Sequence, residues 1–200
     1  MGSEMCIRDR NKLYECIING KYSYNPVWFM RQAGRYLPEF REIRKENTNF
    51  IELCLNDKLS SEITLQPIKR FDLDAAIIFS DILMLPYGLN QKVEFKKNFG
   101  PTLGNLDIKS MSKIDEIDFV EKIYPVYKAI KSVSLEMNSK NKNTIGFVGA
   151  PWTLLVYMIN QQSPKKNVKK DFFKDDFLRF SRMSRILNKI FKFFVGIKYF

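Results

Sequence analysis

Histidine does not occur once in the 200 residues. That excludes Ser-His-Asp and Cys-His catalysis within this chain, and any metal site ligated by imidazole. Cysteine is scarce: Cys6, Cys16 and Cys54 are odd in number, widely spaced and form no C-x-x-C pair. Neither a disulfide framework nor a zinc ribbon is indicated, and a reducing cytoplasm is the expected compartment. No run of eighteen apolar residues is present, so no membrane span is expected. The opening MGSEMCIRDR has no apolar stretch of the kind a secretory signal needs. Residues 1–10 are expected to be a leader foreign to the fold. What remains for chemistry is carboxylate, Arg, Lys, Tyr, Ser and Cys.

The composition is that of a globular protein, 45% hydrophobic and 14% aromatic. Its length allows one domain with a real core, or part of a larger one. The net charge of +11 raises the question of nucleic acid. Its distribution argues against that. Residues 158–200 hold eleven Lys or Arg against three Asp, so they carry +8, while the remainder carries only +3. Basicity is therefore concentrated in the tail, and no nucleic-acid partner is expected.

Three short apolar runs, Val27–Met30, Ala75–Phe79 and Ile145–Val148, are rich in β-branched and aromatic residues and read as buried strands. The stretches between them read as helical. Leu59–Lys69 is one, and Pro67 is expected to kink or end it. Ile117–Met137 is another, with Val120, Ile123, Tyr124, Tyr127, Ile130, Val133 and Ser134 near one face. Thr153–Ile159 reads as the buried start of a helix entered through Pro151 and Trp152. Val93–Phe95 and Pro101–Leu103, with Gly100 between them, suggest a small hairpin. Strands separated by helical stretches imply parallel βα units and the α/β class.

In such folds, function gathers where strands end. The first run leads into Arg31-Gln32-Ala33-Gly34-Arg35, the second into Ser80-Asp81, the third into Gly149-Ala150-Pro151. Arg31 and Arg35 are four apart, and each guanidinium offers a planar fork suited to carboxylate or phosphate. The competing reading pairs them at the surface with Glu39 and Glu42. Asp81 follows the almost wholly apolar run Ala75–Phe79. A carboxylate there needs donors or a ligand to offset burial, or else it caps a helix beginning at Ile82. Tyr157 lies in an apolar helix, where a buried hydroxyl needs a partner, whether that partner is a ligand or the core. Asp72 and Asp74 read as solvated residues at the opposite end of the second run. The set suits a polyanionic substrate with a hydrogen-bonding or cationic centre.

Three blocks also carry a resemblance. Pro26-Val27-Trp28-Phe29-Met30-Arg31-Gln32-Ala33-Gly34-Arg35-Tyr36-Leu37-Pro38-Glu39-Phe40-Arg41 resembles the N-terminal signature of the uroporphyrinogen decarboxylase family. Residues 74–83, DAAIIFSDIL, resemble its second block, and residues 146–159, GFVGAPWTLLVYMI, its third. The resemblance covers roughly residues 11 to 160 and fades after about Leu178. It implies that residues 11–178 are the N-terminal part of a (β/α)8 TIM barrel. It also implies a cytoplasmic homodimer acting in haem biosynthesis, without metal or organic cofactor. The family removes four acetate carboxylates of uroporphyrinogen III as CO2, giving coproporphyrinogen III.

Carried over residue by residue, the resemblance puts Arg31, Gln32, Ala33, Gly34 and Arg35 at the substrate, with the two arginines on its carboxylates. It sets Asp81 against the pyrrole N–H groups and Tyr157 near a reacting acetate. Asp81, Arg31, Arg35 and Tyr157 are the expected catalytic set. A guanidinium, with its pKa above about 12, is a poor proton donor. The sequence departs from the family at Asn160, where an acidic residue is usual, and at Gln161-Gln162-Ser163, where glycines are usual. The family also uses a Ser or Thr and a His from later strands, and a barrel needs about 250 residues. A truncated or frame-shifted reading is therefore expected, with 179–200 as an atypical basic, Phe-rich tail. The alternative function is an inactive fragment, or a non-catalytic anion-binding protein acting through that tail. Methyltransferases on the same barrel bind zinc through His and Cys; this chain has no histidine and carries the RQAGR block.

Overall fold

A computed structural model describes residues 12–20, 25–96 and 99–163. The expected leader (1–10) and tail (179–200) lie outside the described residues. In order, the elements are α1 (Lys12–Asn19), α2 (Pro38–Glu46), α3 (Phe50–Cys54), α4 (Asp57–Phe71), β1 (Ala75–Ile77) and α5 (Met84–Gly88). There follow β2 (Val93–Lys96), β3 (Gly100–Leu103), α6 (Ile108–Lys113), α7 (Glu116–Ser139), β4 (Asn143–Ile145) and α8 (Pro151–Asn160). Strands β1 and β4 pair in parallel, and β2 and β3 form an antiparallel hairpin. The α/β class and the hairpin both stand.

Two compact units divide the chain. One covers Met1–Thr48, Glu52–Ser80 and Pro125–Phe147, the other Asn49–Ile51, Asp81–Tyr124 and Val148–Phe200, each over its described residues. In the first, α4 is the central element. Asn56 caps it, its side-chain oxygen accepting the Leu59 N–H at 3.0 Å. Asp72 ends it in the left-handed conformation at φ 50°. Between these ends Ser60, Ser61 and the whole run from Ile63 to Ile68 are buried. Leu65 and Ile68 join Leu73, Ala76, Ile78, Val133 and Met137 in one core, and Ile63 joins Leu37, Phe40 and Leu53 in another.

Pro67 does not end α4, which continues to Phe71. A proline inside a helix costs about 3 kcal/mol. Burying a Leu or Ile side chain returns about 1.5–3 kcal/mol each. Leu65 and Ile68, which flank the proline, are both buried, and together they outweigh it.

The first expected strand is absent. Val27, Trp28, Phe29 and Met30 are 47%, 38%, 60% and 78% exposed, so no buried strand runs there. Only Val27 pairs, its N–H donating to Asp74 Oδ2 at 2.8 Å and its carbonyl accepting the Asp74 N–H at 2.9 Å. The β1 carbonyl of Ala75, which a neighbouring strand would use, accepts instead from the Gln32 side chain. The expected strand Ile145–Val148 lies earlier, at Asn143–Ile145, in register Ala75↔Asn143, Ala76↔Thr144 and Ile77↔Ile145. The ladder closes with Ile78 N–H donating to the Ile145 carbonyl at 3.1 Å. Beyond it, the Phe79 backbone, which faces the edge away from β4, bonds to side chains of α4. The run Ala75–Phe79 is correspondingly shorter as strand, ending at Ile77.

In the second unit, β3 is tied to the end of α8: Leu103 N–H donates to the Gln161 carbonyl at 2.7 Å. Buried Gln91 joins the loop after β3 to α8, its Nε2 donating to the carbonyls of Gly104 (2.9 Å) and Met158 (3.0 Å). Pro151 stands in the first turn of α8, as expected, and Leu154, Leu155, Met158 and Ile159 are buried. The part of α7 in this unit buries Phe119 and Ile123, while Tyr124 is exposed; Ala129, Val133 and Met137 of the same helix are buried in the first unit.

Candidate active site

In the first unit, the segment Arg31–Arg35 is a chain of turns entering α2. Its backbone is held from several directions. Gln32 is only 3% exposed. Its Oε1 accepts the Phe29 N–H at 3.1 Å and its Nε2 donates to the Ala75 carbonyl at 2.9 Å. The Tyr36 hydroxyl donates to the Gln32 carbonyl. Leu37 N–H donates to the Gly34 carbonyl at 3.0 Å, and Leu37 itself is buried against Phe40, Leu53 and Ile63. Arg41, one turn into α2, bends back so that one nitrogen donates to the carbonyls of Arg35 (2.9 Å) and Tyr36 (3.2 Å). Ala33 packs against the same core as Leu37.

Arg31 and Arg35 are exposed. The surface pairing that competed with an anion-binding role is not formed. Glu39 is taken by Arg70 in a fork-to-fork pair, with contacts of 3.0 and 3.1 Å. Glu42 pairs with Lys45 at 2.8 Å. Among the described residues neither Arg31 nor Arg35 has a carboxylate partner. The Glu39 carboxyl is held below its ordinary value, chiefly by a backbone hydrogen bond and further by Arg70. Gly34 is under no steric demand, since a Cβ there would meet nothing nearer than the Tyr36 ring at 3.8 Å.

Sequence reasoning missed a pair of hydroxyls in the same unit. Thr64 Oγ1 accepts the Phe79 N–H at 2.8 Å and donates to the Ser60 carbonyl at 2.7 Å. Ser60 Oγ donates to the Phe79 carbonyl at 2.6 Å. Both backbone groups of Phe79 are thus satisfied by α4 side chains rather than by a strand. The available signal was the spacing of four between hydroxyl residues on a helix just before a buried strand.

In the second unit, Asp81 begins a tight turn. Its Oδ1 accepts the Leu83 N–H at 2.8 Å and its carbonyl accepts the Met84 N–H at 3.1 Å. It caps this turn and not a helix starting at Ile82, since α5 begins at Met84. Desolvation pushes its carboxyl above the ordinary aspartate value, and the Leu83 hydrogen bond opposes that only in part. Next to it, Ile82 lies against Gly149. A Cβ at Gly149 would sit 2.7 Å from Leu154 Cδ2 and 3.1 Å from Ile82 Cβ. Tyr157, half-buried on α8, has its hydroxyl 3.3 Å from Ser163 Oγ. Asp72 and Asp74 lie at the other end of β1, bonded to Lys142 and to Val27.

The family model described as uroporphyrinogen decarboxylase matches residues 9–196. The chain belongs to the uroporphyrinogen decarboxylase family. The uroporphyrinogen decarboxylase of Agrobacterium fabrum is 46% identical over 144 residues, which cover 72% of this chain and 42% of that enzyme. That of Rickettsia canadensis is 45% identical over 155 residues, 78% of this chain and 44% of the relative. That of Campylobacter jejuni is 43% identical over 171 residues, 84% and 49%. The chain therefore spans about half the length of the curated relatives it matches. Among the described residues, no helix is long and apolar enough to cross a membrane.

Proposed function

We propose that this chain supplies the carboxylate-binding arginines and the central aspartate of a uroporphyrinogen decarboxylase. The reaction converts uroporphyrinogen III to coproporphyrinogen III with loss of four CO2. The observation that carries the reading is the state of Arg31 and Arg35, two exposed guanidinium groups on a locked backbone whose nearby acids are engaged elsewhere. Such a pair is ready for an external polycarboxylate. The family relationship supports the same substrate class. With this reading go a (β/α)8 barrel, a homodimer, a cytoplasmic setting, and no need for a metal or organic cofactor.

The residue types fit the chemistry. Loss of CO2 from an acetate on a pyrrole leaves an electron pair that needs a sink. Protonation of the electron-rich pyrrole provides one, as a cation that accepts the pair when the C–C bond breaks. A carboxylate gains most from such a cation, and from pyrrole N–H donors, when water solvates it poorly. Asp81 is in that condition, its charged form destabilised by desolvation. The arginines replace the water lost by the substrate's carboxylates. Tyr157 offers a hydroxyl near a reacting acetate, its Ser163 contact being long enough to exchange.

The test uses a chimera in which residues 12–163 replace the matching segment of the Campylobacter jejuni enzyme. Products are oxidised and separated by carboxyl number. Turnover from eight carboxyls to four is expected. Asp81→Ala should lose about a hundredfold or more in kcat, and Tyr157→Phe should keep part of the activity. Near-normal turnover in Asp81→Ala would remove the assigned role.

A further inference from the structure

We propose that Gln32 is a positioning residue for Arg31 and Arg35, acting through the backbone and not through contact with substrate. The inference rests on the carboxylate-binding reading of those two arginines and adds to it the element that sets their spacing. The Gln32 side chain is buried, and both ends of its amide already serve backbone groups. The oxygen is engaged by Phe29 N–H and the nitrogen by the Ala75 carbonyl, 43 residues away. It occupies the place on the edge of β1 that a neighbouring strand would fill, and so attaches the turn directly to the sheet. Its own carbonyl accepts from Tyr36, across the arginine segment. The turn is thereby fixed at Phe29, Gln32 and Tyr36, while Arg41 holds the carbonyl of Arg35. Arg31 and Arg35 project from a rigid base, so two long side chains keep fewer backbone states to lose when an anion binds.

The experiment uses the 200-residue chain and uroporphyrin I, an oxidised, fluorescent octacarboxylate, followed by fluorescence titration. Arg31→Ala and Arg35→Ala should each weaken binding by about tenfold or more. Gln32→Met, close in length but without the amide, should weaken it by a similar factor. A residue that acts through the arginines costs nothing once they are gone. In the Arg31→Ala/Arg35→Ala background Gln32→Met should therefore change the residual affinity by less than about twofold. A general structural role would instead lower affinity by the same factor in both backgrounds, and that result would overturn the proposal. If the arginine variants weaken binding while Gln32→Met binds like the parent, the proposal falls and the carboxylate-binding reading stands. If neither arginine matters, or the parent does not bind, both fall. Gln32→Glu keeps the acceptor for Phe29 N–H but replaces the donor to Ala75 with a carboxylate oxygen that repels its carbonyl. An intermediate loss is expected from it, which covers the case in which Gln32→Met does not fold, and parent-like affinity in Gln32→Glu would overturn the proposal.

Discussion

The Thr64 hydroxyl, on α4, accepts the Phe79 amide at 2.8 Å and donates one helical turn back, to the Ser60 carbonyl, at 2.7 Å. This contact satisfies the Phe79 amide on the side of the chain away from β4, two residues before Asp81. Thr64→Val preserves shape and removes both bonds, leaving the part-buried Phe79 N–H without its partner. The expected loss is about 1–3 kcal/mol, read as a lower urea midpoint with an unchanged slope. Thr64→Ser keeps the hydroxyl and should lose less.

Asp81 gives a pH signature. An acid whose pKa is raised by folding binds more proton in the native than in the unfolded chain. Its contribution to stability is complete below the ordinary aspartate value of 3.8 and is lost as pH rises through the higher native value. Asp81→Asn removes that loss and keeps an oxygen for the Leu83 N–H. The variant should match the parent near pH 3 and be more stable than it at pH 7, by denaturant titration at each pH. The same substitution should abolish decarboxylation in the chimera, so a stabilised protein would be an inactive one.

Two glycines in matched family blocks should respond oppositely. At Gly149 an added methyl meets Leu154 and Ile82 well inside contact distance, so Gly149→Ala should cost about 1–3 kcal/mol. At Gly34 the nearest atoms are at 3.8 Å, and Gly34→Ala should leave the thermal midpoint near that of the parent. Comparable melting scans of the two variants settle both.

Arg31→Ala and Arg35→Ala should change stability by no more than about 0.5 kcal/mol, because both residues are exposed and neither has a carboxylate partner among the described residues. Arg41→Ala should cost more, since it frees the carbonyls of Arg35 and Tyr36. Denaturant midpoints for the three variants provide the comparison.

These elements also indicate what the sequence disclosed. Helices with long apolar periods, α4, α7 and α8, were legible, as was the hairpin around Gly100, because each follows from neighbours a few residues apart. Val27–Met30 was misread because its composition matches a buried strand, whereas its fate depends on Gln32 reaching Ala75, 43 residues away. The position of β4 was misjudged because its register is set by pairing with β1, far back along the chain, which no local pattern reveals. No helix was singled out at α1, α2, α3 or α6. At the site, the arginine segment and Asp81 stood out by residue type and place. The pairing that would have made the arginines ordinary failed because Glu39 is held by Arg70, 31 residues along the chain.

The parallel pairing of β1 with β4 has a consequence for the order of events during synthesis. The ion pair of Asp72 with Lys142, just before the two strands, joins residues 70 apart. At a translation rate of about 5–20 residues per second, a nascent β1 waits on the order of several seconds for its partner. Throughout that interval α4 and the Gln32 side chain can already cover part of β1, since both precede it from the ribosome. The Gln32 amide then closes the edge of β1 opposite β4, while the edge that β4 will take stays open until residues 143–145 emerge.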